Sequence, residues 1–319
     1  MGTFTTGVKL GGAAGRRRAY LELGRVSNLP TVWSNVLAGA TLAGAHGLSA
    51  RLAALAGALS LLYVGGMFLN DAADHEVDAR ERRDRPIPSG RVSAREAWGT
   101  GFALLLGGLV TLAVLAALAA RSTDSGIEPT GEWWRGVAAG GVLAALIILY
   151  DLRHKANPLS PVLMGLCRSM VYVVAALAMT GAVTLSVLGG AVALLAYLVG
   201  LTYAAKQETL AALRGVWPLA FLLVPLAYAL PLIAVSSLAV IIFAAFTVWM
   251  LAALATLVRR NPGQPGKPGG IGRAVAALIA GISLLDGTLI AASGAPHAAL
   301  VAVACFGLTL LFQRHVPGT

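Results

Sequence analysis

Six of the 14 acidic residues in this 319-residue chain lie in one short stretch, FLNDAADHEVDARERRD, at positions 68–84. If the stretch is helical, with Asn70 as the origin, Asp74 lies at about 40° and Asp78 at about 80° around the helix. Asp71 lies at the edge of this sector at about 100°, whereas Glu76, at about 240°, points away from it. The spacing therefore predicts one helix face that presents an amide and three carboxylates.

Carboxylates gathered on one helix face repel one another unless a cation lies between them. Hard oxygen donors suit Mg²⁺, which in proteins commonly carries the phosphates of a substrate. We therefore predict a Mg²⁺ site with the ligands Asn70, Asp71, Asp74 and Asp78. The alternative is a solvated acidic helix end that is neutralised by nearby arginines. The preceding apolar run favours the metal site, because acids close to the membrane interior are costly and usually functional.

The elements that must position these side chains belong to a membrane protein. Hydrophobic residues make up 57% of the chain and charged residues only 12%, and the mean hydropathy is +0.78. Soluble domains have roughly 45–50% apolar and about 25% charged residues, so a soluble enzyme or a disordered chain is excluded. The two cysteines, Cys167 and Cys305, are too few and too far apart for a disulfide framework or a cysteine-rich metal site.

Apolar runs long enough for helices that cross a bilayer occur ten times, and alternating strand patterns are absent. The predicted spans are 31–46, 52–70, 96–120, 135–150, 160–182, 184–204, 216–230, 234–258, 272–292 and 296–313. The run at 216–230 is broken near Pro231 and the last run is short, so nine spans is an open alternative. The prediction is an all-α, polytopic transmembrane bundle of nine to ten helices.

The basic residues predict the orientation of the bundle. With ten helices and a cytoplasmic N-terminus, 20 of the 24 Lys and Arg residues fall on the cytoplasmic side. Such asymmetry is the positive-inside pattern of membrane proteins, so the net charge of +10 does not indicate nucleic-acid binding. We predict one domain over 1–319, with a basic cytoplasmic segment at 1–25, no cleaved signal peptide, and a flexible Pro/Gly linker at 259–273.

Three segments resemble a known family. Asn70-Asp71-x-x-Asp74-x-x-x-Asp78 matches the NDxxDxxxD motif of the UbiA superfamily of intramembrane prenyltransferases, and RPIPSGRVS at 85–93 resembles its continuation. LGRVSNLPTVWSNVLAG at 23–39, which includes Arg25 and Asn35, is similar to the first helix of that family. NPLSPVLMGLCR at 157–168 further resembles the UbiA-like EboC branch, a bacterial group. From about residue 20 to residue 180, the similar segments follow one another in the same order as in the family.

The resemblance implies helices around a central cavity, in a bacterial inner membrane, with the active-site mouth on the cytoplasmic face. Mg²⁺ would bridge the catalytic aspartates Asp71, Asp74 and Asp78 to an isoprenyl diphosphate, whose prenyl group is transferred to an unknown, aromatic small-molecule acceptor. The implied substrate-binding residues are Asn35, Arg85, Tyr150, Lys155, Arg168, Lys206 and Glu208. Three of these have simpler interpretations: an interfacial tyrosine for Tyr150, a topology-setting lysine for Lys155, and an arginine snorkelling from a span end for Arg168.

The sequence departs from the family at its second Asp-rich motif. The corresponding segment, YLVGLTYAAKQETLAALRG at 197–215, contains one acid, Glu208, near Lys206. A non-catalytic binder or transporter of a lipid diphosphate or another small molecule is therefore the alternative function. An ion-coupled carrier would need paired acids within a span, where only Asp286 is available. We expect Asp286 to be hydrogen-bonded inside the bundle.

Overall fold

The computed structural model describes residues 13–121, 134–153, 157–206, 217–259 and 270–316. These residues form twelve α-helices and no strands. The first six are α1 (Ala13–Leu23), α2 (Leu29–Leu42), α3 (Ala50–Ala73), α4 (His75–Glu81), α5 (Ala94–Arg121) and α6 (Trp134–Arg153). The others are α7 (Ser160–Thr180), α8 (Leu185–Lys206), α9 (Val224–Ala229), α10 (Ser237–Arg259), α11 (Gly270–Ala292) and α12 (Pro296–Gln313).

Nine segments in the described part of the chain are long and apolar enough to cross a membrane. Eight are the helices α3, α5, α6, α7, α8, α10, α11 and α12, and the ninth is Trp217–Val235. They correspond to nine of the ten predicted spans, so the all-α polytopic bundle is confirmed and the chain is an integral membrane protein. The segment Trp217–Val235 is irregular, with α9 between two 3-10 turns, because each of its three prolines lacks a backbone N–H.

The remaining predicted span, 31–46, is α2, which has only 14 residues and is short for a bilayer crossing. It nevertheless runs between the two ends of the bundle. Its N-terminus follows shortly after Arg25, which pairs with Asp71 near the end of α3. At its C-terminus, the hydroxyl of Thr184, just before α8, donates to the Leu42 carbonyl at 2.8 Å. Eleven of its residues are buried. A Cβ on Gly39 would lie 2.5 Å from the Tyr172 carbonyl oxygen, so glycine allows the α2 and α7 backbones to touch.

Helix α11 forms the centre of the bundle, since 17 of its 23 residues are buried and it packs against α2, α8, α10 and α12. Helix α5 lies at the periphery and exposes a row of large apolar side chains, as expected where lipid is the solvent. This row consists of Phe102, Leu106, Val110, Val114 and Leu118. The bundle is therefore apolar both in its core, which leucine, valine and aromatic side chains fill, and on the outer face of α5.

Two predicted segments fall partly outside the described residues. The linker at 259–273 lies mostly in 260–269, between the end of α10 and the start of α11. Residues 13–23 of the basic segment 1–25 form α1, after which Arg25 adopts a left-handed conformation (φ 42°) that turns the chain toward α2. The assignment of the whole chain to one domain stays a prediction.

Candidate active site

A cavity of about 660 Å³ opens between α2, α3, α4, α6, α7, α8 and α11. Its polar end lies where α3, α6 and α8 end and α7 begins. The polar side chains there belong to Arg25, Asn28, Asn70, Asp74, Asp78, Glu81, Arg82, Arg85, Tyr150, Asp151 and Lys206. Deeper walls are mainly apolar and include Val32, Leu59, Leu143, Ile147, Val171, Leu198, Ile279 and Ile282. The cavity thus combines a charged mouth with an apolar interior.

The acidic stripe continues from α3 into α4. Helix α3 ends at Ala73, but the Asp74 N–H still donates to the Asn70 carbonyl (3.0 Å), and the Asp78 N–H donates to the Asp74 carbonyl (2.9 Å). The helical register is therefore kept, and Asn70, Asp74 and Asp78 all line the cavity, while Glu76 is exposed. Glu81 lines the cavity as well; at about 20° from Asn70 it belongs to the same face, which the sequence analysis missed.

Asp71 lies on the flank of this stripe, as its angle of about 100° from Asn70 implies. It is not part of the cavity wall; its Oδ1 lies 3.3 Å from Arg25 Nη2 and 3.4 Å from Arg85 Nη1. Burial lowers the pKa of Arg25, but the charge of Asp71, its hydrogen bond and the nearby Tyr63 and Tyr150 together raise this pKa above its usual value. Asp71 therefore fixes two cations beside the mouth.

Arg85 connects α3 to α4, because it contacts both Asp71 and Asp78. Its Nη1 lies 2.9 Å from Asp78 Oδ2 and is shared with Asp71, and both carboxylates are more than nine-tenths buried. The loop after Arg85 folds back on itself: Gly90 adopts φ 73°, and the N–H groups of Arg91 and Val92 donate to the Pro86 carbonyl. This conformation explains why a glycine follows the RPIPS segment.

Asp151 is a site residue that the sequence analysis did not find. It lies near the end of α6, is 4% exposed, lines the cavity and accepts a hydrogen bond from Asn70 Nδ2 at 3.2 Å. A carboxylate in the last turn of an apolar helix was the available signal. Helix α6 therefore adds one carboxylate to the oxygen donors of α3 and α4.

Helix α8 contributes a basic side chain to the mouth. Lys206, at the end of α8, lines the cavity and donates a hydrogen bond to the Ser160 hydroxyl at the start of α7. Tyr150 and Arg168 also line the cavity. Two further predicted substrate-binding residues, Lys155 and Glu208, lie outside the described residues.

The oxygen donors at the mouth fit a Mg²⁺ ion that arrives with a phosphate ligand. No three Asp, Glu, His or Cys side chains converge as a preformed metal cage within the described ranges. Mg²⁺ does not require one, since it keeps several waters and commonly binds through one or two carboxylates together with substrate phosphates. Asn70, Asp74, Asp78 and Asp151 supply the hard oxygen donors that such a site uses.

Asn35 is not brought to the cavity mouth. Its side chain is fully buried, and its Nδ2 lies 3.0 Å and 2.8 Å from the two carboxylate oxygens of Asp286. Asp286 also accepts hydrogen bonds from the hydroxyl groups of Ser34, at 2.5 Å, and Tyr172. The expectation that Asp286 is hydrogen-bonded inside the bundle is confirmed.

Residues 29–268, about three quarters of the chain, match the model of the UbiA prenyltransferase family. Curated relatives include the digeranylgeranylglyceryl phosphate synthases of Ignicoccus hospitalis, 46% identical over 103 residues, and Halobacterium salinarum, 35% identical over 135 residues. The first match covers 32% of this chain and 33% of the relative, and the second covers 41% and 49%. The chain thus spans between a third and a half of the length of these relatives.

Two solved structures share the fold. One, described as an apo structure of a UbiA homologue from Aeropyrum pernix K1, has a TM-score of 0.60 and 19% identity, covering 82% of this chain and 97% of the other. The second, from a study of the biosynthesis of digeranylgeranylglyceryl phosphate synthase in membranes, has a TM-score of 0.57 and 19% identity. It covers 87% of this chain and 98% of the other. The resemblance to the EboC branch stays a prediction.

Proposed function

Because the chain belongs to the UbiA prenyltransferase family, we propose that it is a membrane prenyltransferase that uses an isoprenyl diphosphate. The observation that carries this proposal is a cavity with a charged mouth and an apolar interior, since an isoprenyl diphosphate has a charged head and an apolar chain. The head would lie among the charged residues of the mouth, and the prenyl chain would lie against the deeper apolar walls.

The two sides of the mouth would share the binding of the diphosphate. Asn70, Asp74 and Asp78, with Asp151 beside them, would hold Mg²⁺. Mg²⁺, when bound, offsets the negative charge that develops on a leaving diphosphate. Arg85 and Lys206 would donate charge-assisted hydrogen bonds to the phosphate oxygens, which are strongest toward an ionised acceptor.

The apolar walls would protect the reacting carbon from water. Transfer breaks the allylic C–O bond, whose electron pair leaves with the diphosphate, and the acceptor's nucleophilic atom bonds to the freed carbon and loses its proton. Water would compete for the same carbon, so a dry site is needed. Val32, Leu59 and Ile147 supply apolar surface directly below the polar residues.

Two classes of acceptor are consistent with these observations. The resemblance to the superfamily implies an aromatic small molecule, whereas the curated relatives are named for a glyceryl phosphate lipid. We propose that the mouth faces the cytoplasm, which the distribution of basic residues supports. The bacterial inner membrane stays a prediction, since the curated relatives are archaeal.

The test is to incubate the purified full-length chain in detergent with labelled geranylgeranyl diphosphate, Mg²⁺ and acceptors of both classes. We expect prenylated product and released diphosphate, and loss of both in Asp74→Ala. Glu76→Ala is the matched control, because Glu76 is an exposed acid on α4 that points away from the cavity face. Its activity should equal that of the wild type.

The missing acids of the second motif favour one alternative, a non-catalytic binder of lipid diphosphates. Helix α8 contains no carboxylate over Leu185–Lys206 and ends instead on a lysine. Tight, Mg²⁺-dependent binding of geranylgeranyl diphosphate without turnover in the presence of either acceptor class would support the binder and contradict the enzyme.

A further inference from the structure

The diphosphate site does not explain the environment of Arg168. It lies on α7, eight residues after Ser160, and therefore about 12 Å deeper in the bundle at 1.5 Å per residue. It lines the cavity, so it does not reach out to the membrane surface. A charged side chain at such depth is costly and usually has a function.

The hydrogen bonds of Arg168 leave part of its guanidinium unused. Nη2 donates to the Thr31 hydroxyl, which itself donates to the Asn28 carbonyl at 2.7 Å. Nε is buried and has no hydrogen-bond partner. Buried polar groups in native proteins are nearly always satisfied, so an unpaired N–H in a side chain that lines the cavity calls for an explanation.

No carboxylate lies within ion-pair distance of Arg168 among the residues that the structure describes. Asp286 is close enough to act on it electrostatically. The oxygens of Asp286, however, are already taken by Ser34, Asn35 and Tyr172. Asp286 therefore compensates the charge of Arg168 at a distance and leaves its N–H groups available.

Tyr63 fixes the plane of the guanidinium. The Cζ atom of Arg168 lies 5.5 Å from the centre of the Tyr63 ring, which is within the range of a cation–π contact. A guanidinium held against an aromatic ring and a hydroxyl presents its remaining N–H groups as a rigid fork, and this fork matches the oxygens of a phosphate or carboxylate. Both residues line the same cavity.

We propose that Arg168 is the binding site for an acidic group of the acceptor, a phosphate or a carboxylate, in the apolar part of the cavity. This inference rests on the proposed function, because it assigns the second substrate of the same cavity. It requires an acceptor that carries an oxyanion in addition to its nucleophilic atom. A glyceryl phosphate lipid and a hydroxylated aromatic acid both meet this requirement.

The experiment compares acidic acceptors with their neutral analogues on the full-length protein in detergent. The pairs are geranylgeranylglyceryl phosphate with geranylgeranylglycerol, and 4-hydroxybenzoate with 4-hydroxybenzamide. Binding is measured by ligand-induced thermal stabilisation and catalysis by the KM of the acceptor. We expect the wild type to prefer the acidic member of one pair by roughly tenfold or more, and that pair identifies the source of the oxyanion.

Arg168→Gln should abolish this preference, and Arg168→Lys should restore part of it, because lysine keeps the charge but lacks the fork. The KM of geranylgeranyl diphosphate should change less than twofold in both variants. Arg51→Gln is the matched control: Arg51 lies at the other end of α3, donates to the Ala178 carbonyl at 2.6 Å and does not line the cavity. Arg51→Gln should leave the KM of the acceptor and the KM of geranylgeranyl diphosphate unchanged.

Three outcomes would overturn the inference. The wild type could bind acidic and neutral acceptors equally, or Arg168→Gln could weaken acidic and neutral acceptors alike. Inorganic diphosphate could also produce the same Arg168-dependent stabilisation, which would assign Arg168 to the prenyl donor. A wrong proposed function would show itself differently. The wild type would then not bind geranylgeranyl diphosphate in a Mg²⁺-dependent manner, or it would turn over no acceptor.

Discussion

The buried carboxylates at the cavity mouth and the one in the middle of the bundle are held by different hydrogen-bond partners. Asp71 and Asp78 meet the guanidinium groups of Arg25 and Arg85 at 2.9–3.4 Å. Asp286 is instead held by hydroxyl and amide donors from α2 and α7. An arginine can exchange a carboxylate for a phosphate without losing its charge partner, whereas a closed set of neutral donors cannot take part in such an exchange.

This difference distinguishes the proposed diphosphate site from the Asp286 network, although both contain aspartates that are more than nine-tenths buried. The mouth keeps charges of both signs next to an open cavity, so metal and phosphate can replace protein–protein ion pairs. The Asp286 network connects α2, α7 and α11, and α2 contributes Ser34 and Asn35 to it. Burial and charge are common to both regions, so what distinguishes their aspartates is the nature of the partners.

The largest expected effects come from placing the same substitution in both regions. Asp78→Asn should weaken the Mg²⁺-dependent binding of geranylgeranyl diphosphate by about 100-fold or more, since loss of outer-shell partners alone typically costs 10–100-fold. Its thermal stability should change little, because Arg85 keeps Asp71 as a partner. Titration of the labelled diphosphate at several Mg²⁺ concentrations, with a melting curve, measures both quantities.

Asp286→Asn should have the opposite pattern. Its new amide N–H groups would face the Asn35 amide and the Tyr172 hydroxyl, which now donate to Asp286. Leaving such donors unsatisfied should lower the free energy of unfolding by about 2–3 kcal/mol. The affinity for geranylgeranyl diphosphate should stay within twofold of the wild type. A variant with normal stability and lost diphosphate binding would show that the two regions are not distinct.

Lys206→Gln tests whether the basic side of the mouth contributes as the acidic side does. Removing one charge-assisted hydrogen bond should weaken diphosphate binding by roughly tenfold. Lys206→Arg is the control and should recover most of the affinity, since it keeps the charge. Equal binding by Lys206→Gln and wild type would assign Lys206 to its contact with Ser160 alone.

Asp71→Asn should have the smallest effect of the acidic substitutions at the mouth. Asp71 lies behind Arg25 and Arg85 and outside the cavity wall, so it would act by positioning these arginines. We expect diphosphate affinity to fall roughly threefold and the apparent Mg²⁺ affinity to stay unchanged, in keeping with the modest net value of one hydrogen bond. A loss as large as that of Asp78→Asn would make Asp71 a direct metal ligand.

Much of the fold follows from local sequence. Nine predicted spans reappear because about 20 apolar residues can satisfy their backbone in lipid only as a helix. The predicted span 216–230 is irregular in the structure, because its prolines interrupt helical hydrogen bonding and leave two 3-10 turns around α9. The short helix α2 could not be judged by length, because its role depends on the helices that surround it.

The candidate site could be predicted where it depends on one helix and not where it depends on several. The angles around α3 and α4 place Asn70, Asp74 and Asp78 on one face and Asp71 on its flank. Asp151 was missed, because its contact with Asn70 joins two helices that are 81 residues apart in the chain. Asn35 was assigned to the cavity from a resemblance, but its side chain turns toward α11.

The sequence by itself determines that this chain forms a helical membrane bundle with an acidic stripe at one end, because helix period and hydropathy are properties of neighbouring residues. Only the tertiary structure decides which charges meet. It brings Arg25 to Asp71, Asp286 to Tyr172 and Arg168 to the wall of a cavity. Such contacts depend on how distant helices pack, and helices that all present similar apolar surfaces to lipid carry little local information about their neighbours.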